Sequence, residues 1–451
     1  MQVVICQKGY EATISELKSN YDLLSEDGCF YAIVRTEYDR MGNVTHDFLQ
    51  VIKHAVDIGY TYVNTIVYPT IEKQDCVIKD NVRYVIWLCK NHQTMKFNKD
   101  TIREKHIWKD VEWGKRTKNY NPKGKDPGNV WIPTNDDGKA NITEHILLSD
   151  EEVINKLLAM SCCGEDYMIL KEETAHNHYE QQKDVSEANP CKEDCYGKVI
   201  FASSEQMMHI QDNTVKVAIT SPPYWNLKDY FKKGQIGQET YQEYLDRMET
   251  VWQQCYQKLT DNGSLWVNIN IRNQKGKVIL IPYDIIAQCK RIGFFYKGIM
   301  IWHKSSGIPT GEKNIVDRHE YVLIFSKTEN FTVHQNKFAD IKDYKNPVMN
   351  GGAFWNINRK AGSVGKKYIH PAIYPNELVR RIVDICSEEG DLVMDPFLGS
   401  GTSLIASLQA NRNFVGYEYN EGFKDLMMSR FELELNNLGN VEFVDTFQNK
   451  E

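Results

Sequence analysis

The sequence predicts an α/β protein built on a mixed sheet flanked by helices, preceded by a second α/β domain of partly similar pattern. Three observations predict this. Short apolar runs that read as buried strands alternate with helical stretches along the chain. One of them, Leu392-Val393-Met394, runs through a glycine turn into the helical stretch Ser403 to Leu408, a strand–turn–helix order that cradles nucleotides in Rossmann-like folds. Several strand signals of the second half also recur in the first.

In the second half, Val199-Ile200-Phe201 is the opening strand and Val215 to Ile219 the next. Pro222 and Pro223 stop that strand, because proline fixes φ and has no N–H for the ladder. Tyr241 to Leu259 reads as a helix, with Tyr244, Leu245, Met248, Val251, Trp252 and Cys255 at helical spacing. Gly263 to Ile269 is a strand, Tyr283 to Arg291 a helix, and Tyr296 to Trp302 and Tyr321 to Phe325 are strands. Asn376 is expected to cap a helix running to Cys386, with Glu377 in its favourable first turn. A last strand, Phe414 to Tyr417, ends in Glu418.

At 451 residues the chain has room for two or three domains. It contains no apolar run of roughly eighteen residues and no signal-peptide core at its start, so a cytosolic protein without a membrane is expected. Its 11 cysteines, an odd number spread along a large chain, argue for reduced thiols rather than a disulfide framework. A net charge of −7 does not advertise a nucleic-acid binder, but phosphate contact needs a local basic face and not a basic average. The tract Lys109 to Lys125 offers one: Lys115, Arg116 and Lys118 beside Trp113 and Tyr120, which reads equally well as a solvated basic loop.

Two motifs carry chemistry. Thr220-Ser221-Pro222-Pro223-Tyr224-Trp225 gathers a hydroxyl, proline carbonyls and an aromatic ring on a stiff turn, a set suited to a planar base with an exocyclic amine. Asp395-Pro396-Phe397-Leu398-Gly399-Ser400-Gly401-Thr402 is the glycine turn, and Glu418 follows near the spacing at which an acid bonds ribose hydroxyls. Together these motifs resemble those of the amino-group DNA methyltransferases, in the circularly permuted β type whose catalytic half comes first. The resemblance runs from about Lys198 nearly to the end of the chain and implies the S-adenosylmethionine-dependent, Rossmann-like methyltransferase fold.

The resemblance implies S-adenosylmethionine as cofactor, held by Asp395, Pro396, Phe397, Gly399, Ser400, Gly401, Thr402 and Glu418, with His370 and Pro371 nearby. It implies a catalytic turn of Ser221, Pro222, Pro223, Tyr224 and Trp225 acting on a base flipped out of double-stranded DNA. A recognition segment would span 328–369, with Lys366 and Lys367 as DNA contacts, and a cognate restriction endonuclease would be a partner. In the resemblance, a serine at position 221 implies cytosine N4, with adenine N6 as the alternative. A non-catalytic DNA-binding subunit is the reading from another class, and methylation of RNA or a protein glutamine a further one. Where the family often has an Asp after the opening strand, this chain has Ala202-Ser203-Ser204, which puts a contact to the cofactor's adenine in doubt.

Residues 1–185 read as a partial methyltransferase-like domain. Leu24 to Tyr31 parallels Leu259 to Trp266, Ile58-Gly59-Tyr60 parallels Ile292-Gly293-Phe294, and Arg83 to Lys90 parallels Glu320 to Lys327. Neither chemical motif recurs: no Pro-Pro-Tyr precedes Leu24, and Ile169 to Thr174 lacks glycine. A linker is expected at 186–197, and the catalytic domain at 198–451. His176, His178, Cys191 and Cys195 have a looser spacing than a zinc finger, so no metal is expected.

Overall fold

The computed structural model describes residues 1–70, 78, 80–104, 123–133, 147–171, 195–227, 232–274, 276–304, 307, 313–334, 352–358, 363–364, 368–369, 375–435 and 440–446. The chain forms two compact units, one of residues 1–181, 303–319 and 342–356, the other of residues 182–302, 320–341 and 357–451. The first unit is therefore discontinuous. It takes two stretches from the second half of the sequence, one of them inside the segment 328–369.

The first unit holds strands β1 (Val3–Gln7), β2 (Cys29–Val34), β3 (Glu37–Tyr38), β4 (Val44–His46), β5 (Thr61–Pro69), β6 (Val82–Cys89) and β7 (Tyr167–Lys171). Its helices are α1 (Tyr10–Tyr21), α2 (Phe48–Ile58) and α3 (Asp150–Ser161). Asp47 and Ser149 start α2 and α3 with complete capping boxes, closed by Gln50 and Glu152.

In the second unit, β8 (Gly197–Phe201) and β9 (Val215–Thr220) precede α4 (Tyr241–Lys258) and β10 (Leu259–Ile269). A hairpin of β11 (Arg272–Gln274) and β12 (Lys277–Ile279) leads to α5 (Ile281–Ile292), and then come β13 (Phe295–His303) and β14 (His319–Ser326). The unit closes with α6 (Asn376–Cys386), β15 (Leu392–Asp395), α7 (Thr402–Gln409), β16 (Asn413–Glu418), α8 (Lys424–Glu434) and β17 (Val441–Asp445). Its strands lie in the order β13-β14-β10-β9-β15-β16-β8-β17.

This order sets up the site. β9 runs parallel to β10 on one side and to β15 on the other, with Ala218 level with both Leu265 and Met394. The serine turn and the glycine turn thus leave neighbouring parallel strands at their carboxyl ends, where open α/β sheets bind ligands. β9 is buried at every residue but Lys216, as expected of a strand covered on both faces. One expected detail differs. Pro375, not Asn376, is the cap of α6, its φ of −66° already set for an extended cap, while the Asn376 amide donates to Gln409 Oε1 at 3.1 Å.

The sheet of the first unit has the order β5-β6-β2-β1-β7, the same succession as β13-β14-β10-β9-β15. The strand senses agree as well: β1 is parallel to β2 and β7, and β2 antiparallel to β6, as β9 is to β10 and β15, and β10 to β14. Small hairpins, β3–β4 and β11–β12, fall at matching points. Aligned on Val3 beside Cys29 and Val217 beside Ser264, the first unit carries Gln7 where the second carries Ser221, and Tyr10 where it carries Tyr224. The Tyr10 ring stacks on His46, with centroids 4.1 Å apart.

Candidate active site

A cleft opens at the ends of β9 and β15. Ser221 and Pro223 line it on one side, and Pro396, Phe397, Gly399, Ser400 and Thr402 on the other. Glu418, at the end of β16, closes a third wall. The two sequence motifs thus meet in one space.

The glycine turn owes its shape to groups behind the cleft. Asp395 is fully buried and is not among the lining residues: it accepts the Phe397 N–H at 2.9 Å and the Ser403 hydroxyl at 2.5 Å, tying the turn to the start of α7. Gly401 also stands off the lining. Its φ of +83° is left-handed, and a Cβ there would lie 2.5 Å from the Phe431 ring of α8. Arg430, from the same helix, is buried and donates to the Ser400 carbonyl at 2.9 Å, the Ser400 hydroxyl at 2.8 Å and the Thr402 hydroxyl at 2.9 Å. Glu434 accepts from its Nε at 3.1 Å. The sequence reading missed Arg430. An arginine flanked by Met427 and Phe431 on one helix face was the available signal.

Glu418 accepts the Gly399 N–H on one oxygen and the Asn420 N–H on the other, each at 2.8 Å. Burial pushes its carboxyl up to about 7, against the downward pull of those N–H bonds. Beyond it the cleft is lined by Ser203, Ser204, Gln235, Ile236 and Arg247. Arg247 grips Glu205 with Nε at 3.0 Å and Nη2 at 2.7 Å, which holds the Glu205 carboxyl below its usual range. Gln235, Ile236 and Arg247 are brought in from α4 and the loop before it, places that carry no motif, whereas Ser203 and Ser204 follow β8.

The serine turn is held from three sides. The Tyr244 hydroxyl of α4 donates to the Pro223 carbonyl at 2.8 Å and so ties the turn to that helix. The Tyr224 hydroxyl donates to Glu320 Oε2 at 3.0 Å. Trp225 has a φ of +49°, uncommon for a side-chain residue, and its indole N–H donates to the Glu239 carbonyl at 2.9 Å. Arg272 donates to the Tyr224 carbonyl at 3.3 Å and lies 5.8 Å from the Trp225 ring centre. Pro222, Tyr224 and Trp225 are not among the residues lining the cleft.

His370, Pro371, Lys366, Lys367, Lys115, Arg116 and Lys118 lie outside the described residues, as do His176, His178 and Cys191. Of the basic tract, Lys123 and Lys125 are described, and each faces a carboxylate, Asp100 at 2.5 Å and Glu104 at 3.5 Å. Among the described residues no cluster of His, Cys, Asp and Glu could hold a metal, and no helix is long and apolar enough to cross a membrane.

A stiff serine–proline turn and a glycine turn facing one cleft, on adjacent parallel strands, define a nucleotide-cofactor enzyme of the α/β class. Residues 215–429 match the family described as DNA methylase, and the second half of this chain is similar to amino-group DNA methyltransferases. The type II methyltransferase M.Cfr9I of Citrobacter freundii is 28% identical over 265 residues, covering 51% of this chain and 86% of the relative. The type II methyltransferase M.MwoI of Methanothermobacter wolfeii is 33% identical over 215 residues, covering 46% of this chain and 29% of the relative. Among solved structures, the PvuII DNA methyltransferase (cytosine-N4-specific) is 21% identical, covers 54% of this chain and 89% of that one, and superposes with a TM-score of 0.45.

Proposed function

We propose that this protein transfers a methyl group from S-adenosylmethionine to the exocyclic amine of a base flipped out of duplex DNA, at N4 of cytosine, as the modifying enzyme of a restriction-modification system. The observation that carries the reading is that Ser221 and Pro223 share one cleft with Gly399, Ser400 and Glu418. The donor set suits a nucleoside joined to an amino acid: a carboxylate acceptor at Glu418, hydroxyls at Ser203, Ser204 and Ser400, and apolar faces at Ile236 and Phe397. Glu418 would hold the ribose and the glycine turn the methionine part. When bound, S-adenosylmethionine supplies an electrophilic methyl group on a sulfonium.

The chain's own residues then do the aligning. Ser221 Oγ and the Pro222 carbonyl accept the two amine hydrogens, which leaves the nitrogen lone pair directed at the methyl donor. Tyr224 stacks on the base. As the N–C bond formed, the methyl–sulfur bond would break to leave a neutral thioether, and the amine would give up one proton to water. No side-chain nucleophile is needed, because orientation supplies much of the rate. A DNA substrate implies a cytoplasmic site of action and is consistent with the type II relatives.

The test is hydrolysis and mass spectrometry of DNA incubated with the protein and S-adenosylmethionine. N4-methylcytosine is expected. N6-methyladenine alone would overturn the choice of base and leave the enzyme class standing. No methylated base, together with no cofactor binding, would favour a DNA-binding subunit.

A further inference from the structure

We infer that Glu320 is a positioning residue for the target base, acting through the hydroxyl of Tyr224. This rests on the reading of Tyr224 as the ring that stacks on the flipped base. Tyr224 follows two prolines, which fix the backbone of the turn but leave the ring free to swing about its own side-chain torsions. Something else must hold it. Its hydroxyl donates to Glu320 Oε2 at 3.0 Å, and the Asn268 amide nitrogen donates to the same oxygen at 2.8 Å. That nitrogen also lies 3.3 Å from the tyrosine oxygen and 3.5 Å from Ser221 Oγ, so one amide links the two active residues of the turn.

The three groups come from three different strands or strand ends. Asn268 is the penultimate residue of β10, and Glu320 the second residue of β14. Asn268 is level with Val322, so Glu320 is its diagonal neighbour on the same face of an antiparallel pair, within reach of a long side chain. A carboxylate is also unusual at this place, since the rest of β14 from Tyr321 to Phe325 is buried and apolar. Glu320 Oε2 accepts from both donors. It therefore fixes the direction of both donors: the tyrosine hydroxyl points its proton at Glu320 and not at the base. The base then meets the face of the ring and the Ser221 hydroxyl. At the matching points of the first unit, Tyr10 is retained but Glu320 is replaced by Arg83, and the tyrosine ring is stacked on His46.

The experiment is a double-mutant cycle in the full-length protein, read by single-turnover methyl transfer to duplex DNA, with S-adenosylmethionine affinity and thermal midpoint measured on each variant. Glu320→Ala and Tyr224→Phe should each slow transfer about tenfold, the scale set by a misaligned reactant, with cofactor affinity unchanged. The double variant should be no slower than Tyr224→Phe alone. Glu320→Gln, which keeps an acceptor oxygen for the hydroxyl, should recover most of the rate even if Glu320→Ala folds poorly. Multiplying losses in the double variant, or a loss carried by cofactor affinity or stability, would overturn the proposal. Tyr224→Ala separates the two readings. Unchanged transfer in that variant would remove the stacking role of Tyr224 itself, whereas impaired transfer with a multiplicative cycle removes only the role of Glu320.

Discussion

Ser221 and Glu418 face the same cleft and should fail in opposite ways. Replacing Ser221 by Ala removes an acceptor for the base amine and touches nothing on the cofactor side, so transfer should fall by about a hundredfold or more, as for loss of one polar group acting on the reacting atoms. Cofactor affinity, measured by calorimetry, should stay within about twofold of wild type. Glu418 belongs to the other side. Burial raises its carboxyl from 4.5 to about 7, so the folded chain without cofactor holds that proton more tightly than the unfolded chain does. Its contribution to stability is full below pH 4.5 and is lost as the pH rises to 7. Glu418→Gln should therefore flatten the fall in stability across that window, as followed by urea unfolding at a series of pH values. Both residues could be named from sequence, since each sits at the end of an apolar strand run. The raised carboxyl could not, because it depends on what the fold packs around it.

The glycine turn shows how an element can carry two jobs that its motif does not separate. Gly399, with a φ of +57°, lines the cleft, whereas Gly401 backs onto Phe431. Gly399→Val should weaken cofactor binding by intruding on the cleft, and its own left-handed φ should add about 1–3 kcal/mol of backbone strain without the ring clash. Gly401→Val places a branched side chain against a buried ring in a left-handed conformation and should lower stability by about 2–4 kcal/mol, the sum of overpacking and backbone strain. Thermal melts and cofactor titrations on the two variants distinguish these roles; equal loss of stability in both would contradict the division. The element boundaries of the second unit were legible because proline, glycine and helical spacing act over a few consecutive residues. Arg430, which clamps the same turn, was not, because its partners Ser400 and Thr402 lie 30 and 28 residues away.

At the scale of the whole chain, the repeated strand order is the main feature that the second unit's chemistry does not use. We propose that the first unit is a methyltransferase-like lobe that grips DNA. Its turn at Gln7, Lys8 and Gly9 has neither the hydroxyl nor the prolines of Ser221 to Pro223. If its basic tract touches phosphate, changing Lys115, Arg116 and Lys118 together to Ala should weaken DNA binding and reduce the salt slope by up to about three phosphate contacts' worth, with cofactor affinity untouched. Fluorescence anisotropy across a salt series reads both; an unchanged slope would leave the tract a solvated loop. The sequence by itself determined the two chemical turns and the order in which they come, because each is written in neighbouring residues whose dihedral and burial demands are local. Only the tertiary structure decided that β9 and β15 lie side by side and that Glu320, Asn268, Arg247 and Arg430 close on the turns. It alone gave residues 303–319 and 342–356 to the first unit. The reason is physical: strand adjacency and side-chain partnership are settled by packing between segments far apart in the chain, and no local propensity encodes which of them will meet.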